Sequence, residues 1–160
     1  MLVKYNEIME CLKKYIGDIS TINAYYIENI PMKKLNNAIS SYGKDVKKEN
    51  ILALLDITIL GTGKEGFLFT TEGIHFKESF NEANYISFKE IDFISIIDND
   101  KDCNSILHIM MKDKKIITIT STILNKIPLK KFLQQVIEIL KAWLLVTLLK
   151  RYDNLHAIFN

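Results

Sequence analysis

Glycines at 61, 63 and 66, with Lys64 between them, are the residues whose types and spacing most readily suggest chemistry. "GTGKEG" fits G-x-G-x-x-G, in which glycines let the backbone approach a pyrophosphate and a helix N-terminus receives its charge. That chemistry needs a strand, a turn and then a helix. "FLFTTEG" follows instead, which predicts a strand and a tight turn, with no helix dipole on offer. A P-loop needs four residues between its first Gly and Gly-Lys, then Ser or Thr. Lys64 follows Gly63, but Glu65 comes next. The kinase glycine-rich loop shares the strand-loop-strand setting, yet neither H-R-D nor D-F-G follows, and the chain is too short for that fold. Gly61, Gly63 and Gly66 are therefore expected to supply positive φ angles in a connection between strands. No cofactor is implied.

The other reactive side chains form no constellation. His75, His108 and His156 fall on separate segments without H-x-H or H-x-x-x-H spacing, so no metal site is expected. Asp98, Asp100 and Asp102 alternate as in the start of a calcium loop, but the Gly and Glu that loop requires further on are missing. Cys103 sits beside Asp102, which does not favour a thiolate, and G-x-S-x-G is absent. An enzyme would have to gather groups such as Asp56, His75 or His108 in one concave pocket. The expectation is a non-enzyme without catalytic residues.

Composition narrows the partners. The 160 residues are 48% hydrophobic and 25% charged, enough for one compact domain with its own core. With 21 basic and 19 acidic residues the net charge is +2, and Arg151 is the only arginine, so a nucleic-acid interface is not expected. Cys11 and Cys103 suggest no disulfide framework, and a reducing cytoplasm is the default. Lys4, Glu7 and Glu10 interrupt the apolar run a signal peptide needs. "AWLLVTLL" is shorter than the roughly 20 residues of a membrane span.

The elements that would position these residues come from periodicity. Tyr5, Ile8, Met9, Leu12, Tyr15 and Ile16 predict a helix over 2–16 that stops at Gly17. "DISTINAYYIENI" has no clean period and reads as a loop or short helix. Pro31, then Met32, Leu35, Ala38, Ile39 and Tyr42, then Gly43 predict a second helix. Seven antiparallel strands are expected at 51–60, 66–71, 73–78, 84–89, 91–98, 105–112 and 115–121, with turns at Glu72-Gly73, in "DNDKDCNS" and at Asp113-Lys114. In "IHFKES" Ile74, Phe76 and Glu78 share one face. Phe67, Phe69 and Phe76, at strand spacing, are expected in the core rather than in a ligand cage. A long amphipathic helix runs from Pro128 to about Lys150.

Seven short strands followed by one helix is the element order of pleckstrin-homology-like domains. The runs "ILALLDITILGTGKEGFLFTTEGIHFKES" and "YISFKEIDFISI" resemble the small bacterial members of that family, and "IPMKKLNNAISSYG" resembles the helix leading into them. The resemblance covers about residues 31–140. It implies an α+β fold, a seven-stranded antiparallel sandwich or barrel at 50–150 closed by its C-terminal helix. A helical segment precedes it at 1–43, packed in the same unit, and a tail follows at 151–160. It also implies a binding or assembly module. Phosphoinositide-binding members of the wider superfamily place several Lys and Arg around the first hairpin, whereas here Lys64 is beside Glu65 and Lys77 beside Glu78.

The end of the last helix is the candidate interaction surface. Trp143, Leu145, Val146 and Leu149, with Leu144 and Leu148, are apolar on more than one face, so a single sheet cannot cover them. The favoured cover is the N-terminal helix, through Ile8, Met9, Leu12 and Ile16. The alternative is a symmetric interface or another protein. Shallow membrane association, with Lys141, Lys150 and Arg151 near headgroups, is a third reading with a thin basic face. Protein binding or self-association is the function expected, with a peripheral lipid-binding module as the alternative.

Overall fold

The structure is a computed structural model that describes residues 2–20, 23–97 and 105–158, with side chains for 4–20, 23–97 and 105–149. The polar run expected to hold Asp98, Asp100, Asp102 and Cys103, and the side chain of His156, lie outside the described residues.

Helix α1 (Leu2–Ile19) buries Ile8, Met9, Cys11, Leu12, Ile16 and Ile19. It does not stop at Gly17. A Cβ at Gly17 would meet nothing within 4 Å, so the glycine lies on the open side. Its cost, about 0.5–1 kcal/mol against Ala, is outweighed by burying Ile19 one turn beyond Ile16, at roughly 1.5–3 kcal/mol for a fully buried side chain.

The expected loop after α1 contains an eighth strand, β1 (Ala24–Tyr26), antiparallel to β2 (Ile51–Asp56). Five strands make the first sheet, in the order β1-β2-β3-β4-β5, with β3 at Gly66–Thr70, β4 at Gly73–Lys77 and β5 at Asn84–Ser87. The second sheet orders β6 (Ile91–Ile97), β7 (Ile106–Met111) and β8 (Ile116–Ile119). Both sheets are antiparallel, and the fold is α+β. All seven expected strands occur within the spans read from the sequence.

Every residue of β2 is buried because both faces are covered. On the outer face, α2 (Met32–Ser41) packs Leu35 and Ala38, with Tyr42 just beyond it, against Ile51, Leu54 and Leu68. On the inner face Leu52, Leu55, Phe67, Phe69, Ile74 and Phe76 meet Leu107, Ile109, Ile117 and Ile119 of the second sheet. Phe67 and Phe76 stack with centroids 5.2 Å apart. Glu78 follows onto this inner side, is buried, and ties the sheets together by accepting hydrogen bonds from the Thr120 N–H at 2.9 Å and from the Ser121 N–H.

Helix α3 (Lys126–Ile158) starts before Pro128, which the first turn tolerates because the N–H that proline lacks would have no intrahelical acceptor there. Its backbone continues through Ile158, so the expected tail is helical to that point. Leu129, Phe132, Leu133 and Val136 are fully buried, and Phe132 meets Phe69 and Phe88 edge-on at 5.7 and 6.0 Å. These four residues explain why α3 belongs to the core of the domain. Residues 126–149 are long and apolar enough to cross a membrane, with mean hydropathy 1.6, a length the sequence reading missed by confining itself to "AWLLVTLL". In the first half of that stretch one face, with Leu129, Phe132, Leu133 and Val136, is committed to the protein interior, while most of the second half is exposed.

Candidate functional site

The glycine stretch connects β2 to β3, as expected, and no helix follows it. Gly61, Gly63 and Gly66 have φ of 62°, 74° and 147°. The connection is braced against α2. Lys34 Nζ lies 2.6 Å from Asp56 Oδ2, and Asp56 Oδ1 accepts hydrogen bonds from the Thr58 N–H at 3.0 Å and the Thr58 hydroxyl at 2.5 Å. Thr58 Oγ1 in turn accepts from the Thr62 N–H, Asn37 donates to the Thr62 carbonyl at 2.8 Å, and Ser41 donates to the Lys64 carbonyl at 2.7 Å. A Cβ on Gly63 would sit 2.7 Å from the Lys34 carbonyl oxygen. Gly63 thus admits the α2 backbone, Gly61 the Lys34 side chain and Gly66 the backbone of β2.

Burial pushes the Asp56 carboxyl up, but the hydrogen bonds from Lys34 and Thr58 and the Lys34 charge together outweigh it and hold the group below the usual carboxylate range. Desolvation opposes the Lys34 charge, and its bonds to Asp56 and Tyr25 more than compensate, so its pKa is raised. Its ammonium also lies 5.2 Å from the Tyr25 ring centroid. Lys34, absent from the expectations, is the central residue of this cluster.

Asp56, His75 and His108 do not share a cavity. Asp56 is sealed beneath Lys34. His75, on β4, packs its ring 4.2 Å from that of Tyr85 and borders a shallow cleft with Lys44, Lys47, Asn50 and Glu72. Burial lowers its pKa against the opposing effects of a hydrogen bond to the Tyr42 backbone and the Glu72 charge. His108 lies in the other sheet, opposite Ser95 and Thr118. Among the described residues no three His, Cys, Asp or Glu side chains are grouped to hold a metal ion.

At the end of α3 the intramolecular cover weighed from sequence leaves part of the apolar surface exposed. Helix α1 packs along α3 as far as Trp143, whose indole N–H donates to Glu7 Oε2 at 2.7 Å, and Tyr15 donates to Gln135 Oε1 at 3.0 Å. Beyond Trp143, Leu144, Leu145, Val146, Leu148 and Leu149 are 45–63% exposed. A further apolar surface was not legible in the sequence: Ile59 and Leu60 at the tip of the β2–β3 connection and Phe80 after β4 are 102%, 87% and 104% exposed. Both connections lie at one end of the first sheet, where Ser79 donates to Glu65 Oε2 at 2.6 Å.

Comparison of the chain with protein-family models, with curated proteins and with solved structures finds no match.

Proposed function

We propose that this chain is a non-catalytic, cytoplasmic interaction module with a pleckstrin-homology-like fold, and that it self-associates through the projecting end of α3. Four consecutive antiparallel strands, β2–β5, then three, β6–β8, then a helix packed in the core support the fold part of this reading. Helix α1 and strand β1 are additions to that plan. The buried free thiol of Cys11 fits a reducing compartment.

The observation that carries the functional reading is the exposure of Leu144, Leu145, Leu148 and Leu149 beyond Trp143. They form two adjacent i,i+4 rows, the pattern with which one helix receives another of the same kind. At about 25 cal/mol per Å² of apolar surface, burying such rows supplies a driving force that must exceed the cost of association. A second copy offers the same rows by symmetry.

Size exclusion with light scattering tests this on the wild type and on Leu145→Glu/Leu149→Glu. The expected result is a concentration-dependent dimer that becomes a folded monomer in the variant. A wild type that stays monomeric at hundreds of micromolar overturns it.

A peripheral membrane role is the second reading, and Ile59, Leu60 and Phe80 are the observation in its favour. The flanking charges offset one another, Lys64 and Lys77 against Glu65 and Glu82, which leaves only apolar insertion to drive it. Cosedimentation with vesicles of anionic and of zwitterionic lipid, compared between wild type and Leu60→Ser/Phe80→Ser, separates this role from self-association.

A further inference from the structure

Helix α2 covers the outer face of the first sheet only in part. The register sets Leu54 opposite Leu68, Leu68 opposite His75 and His75 opposite Tyr85, and residues paired in this way share a face. Leu54 and Leu68 lie beneath α2 and Tyr42. His75 and Tyr85 continue the row into the cleft of about 320 Å³, which is also lined by Lys44, Lys47 and Asn50 of the α2–β2 connection and by Glu72 of the β3–β4 turn. That volume is near the lower end of the roughly 300–1,000 Å³ of small-ligand sites.

The sheet side of the cleft is set in advance. Burial lowers the pKa of His75 against a hydrogen bond to the Tyr42 backbone that raises it, and a bond that raises it is one in which the ring N–H donates to the carbonyl. Near neutral pH the other ring nitrogen therefore carries a lone pair. The Tyr85 ring lies 4.2 Å from that of His75, and a Cβ on Gly73 would come within 2.6 Å of its Cε2, so the bare glycine is what lets the ring settle there. The charges around the cleft balance. Lys44 and Lys47 face Asp45 and Glu72, and none of the four is in an ion pair among the described residues. Glu72 is close enough for its charge to be felt by both His75 and Tyr85. A simple anion would meet Glu72, and a simple amine would meet the lysines. A ligand carrying both signs matches both.

We propose that this cleft binds a free α-amino acid with an apolar side chain. The ligand's ammonium donates to the Glu72 carboxylate and to the unprotonated ring nitrogen of His75, and its carboxylate accepts from Lys44 and Lys47. Its side chain lies against Tyr85 and Val46, which also borders the cleft. The neutral imidazole matters, because a charged one would repel the ammonium. A peptide is a poorer occupant. Its interior carries neither charge, and its N-terminus has no carboxylate on the same carbon. No residue of α3 lines the cleft, so this site and self-association are tested apart.

The test is calorimetric titration of the full chain at neutral pH with L-leucine, L-methionine and L-phenylalanine, repeated with the N-acetylated and the amidated form of whichever binds and with inorganic phosphate. The expected outcome is saturable binding of at least one amino acid, with amide NMR shifts centred on residues 44–50, 72–75 and 85. Loss of either ligand charge, Glu72→Gln, and Lys44→Gln/Lys47→Gln should each weaken it about tenfold or more, the worth of one charge-assisted hydrogen bond. The three substituted side chains are exposed, and unchanged circular dichroism confirms that the variants fold. No saturable binding, undiminished affinity in a modified ligand or in either variant, or shifts away from the cleft would each overturn the proposal. Binding of phosphate alone would overturn it in favour of a plain anion site.

Discussion

Lys34 Nζ and Asp56 Oδ2 are 2.6 Å apart beneath the glycine connection, joining α2 to the end of β2 across 22 positions of sequence. The Asp56 side chain is wholly buried, whereas that of Lys34 keeps 17% of its surface in solvent. The pair is therefore asymmetric. Removing Lys34 strands a carboxylate in the interior, at a cost of about 3–5 kcal/mol. Removing the charge of Asp56 leaves an ammonium that can turn toward water. Urea unfolding should show Lys34→Met more destabilised than Asp56→Asn, and equal losses would contradict this account.

Two glycines should respond to alanine with opposite signs. Gly63 combines φ of 74° with a Cβ position 2.7 Å from the Lys34 carbonyl oxygen, a backbone atom that cannot move without α2. Gly63→Ala is expected to cost more than the roughly 1–2 kcal/mol of a left-handed residue alone. Gly17 lies within a helix with open space around it, so Gly17→Ala should stabilise by about 0.5–1 kcal/mol. Thermal melts of the two variants decide the signs.

Acid should weaken the domain in two steps. Burial holds the pKa of His75 below its ordinary value, so the unfolded chain takes up the proton first. Stability from this group is complete above the unfolded pKa of about 6.5 and falls as pH drops through that value toward the folded one. Asp56 has its folded pKa depressed. Its contribution is present above the unfolded carboxylate value of about 3.9 and is lost as pH falls through the folded one. A urea-midpoint profile should lose its step below about pH 6.5 in His75→Gln and keep the lower one.

Trp143 is the sole tryptophan, and its fluorescence reports the α1–α3 contact. Its bond to Glu7 is at the surface, so Glu7→Ala should cost no more than about 1 kcal/mol. Leu12→Ala empties a fully buried site and should cost about 2–5 kcal/mol. If Glu7→Ala proves as damaging as Leu12→Ala, the polar contact rather than apolar packing holds α1 in place.

The seven expected strands were legible because each carries β-branched residues, four of them with aromatics as well, next to a turn signal; Lys114, at φ of 71°, marks one such turn. Strand β1 was not, because three residues show no period and its partner lies 27 or more positions away, Tyr26 opposite Ala53. Gly17 read as a stop because local propensity says nothing of Ile19 being buried by distant residues. In the candidate site, the positive φ of the glycines followed from residue type alone. The bracing by Lys34, Asn37 and Ser41 depends on where α2 docks, which no spacing encodes. Ile59, Leu60 and Phe80 are indistinguishable by composition from the core residues around them, and only the fold turns them outward.

The Glu7–Trp143 contact spans 136 positions, and this separation governs how the protein is made. While the ribosome adds roughly 5–20 residues per second, α1 waits about 7–27 seconds between its own synthesis and the arrival of its partner turn of α3. Through that interval the part of the core that α3 supplies to Ile8, Leu12 and Ile16 is missing. Helix α1 thus completes its docking only after this part of α3 has been made, and until then the face it turns to α3 is open to chaperones and proteases.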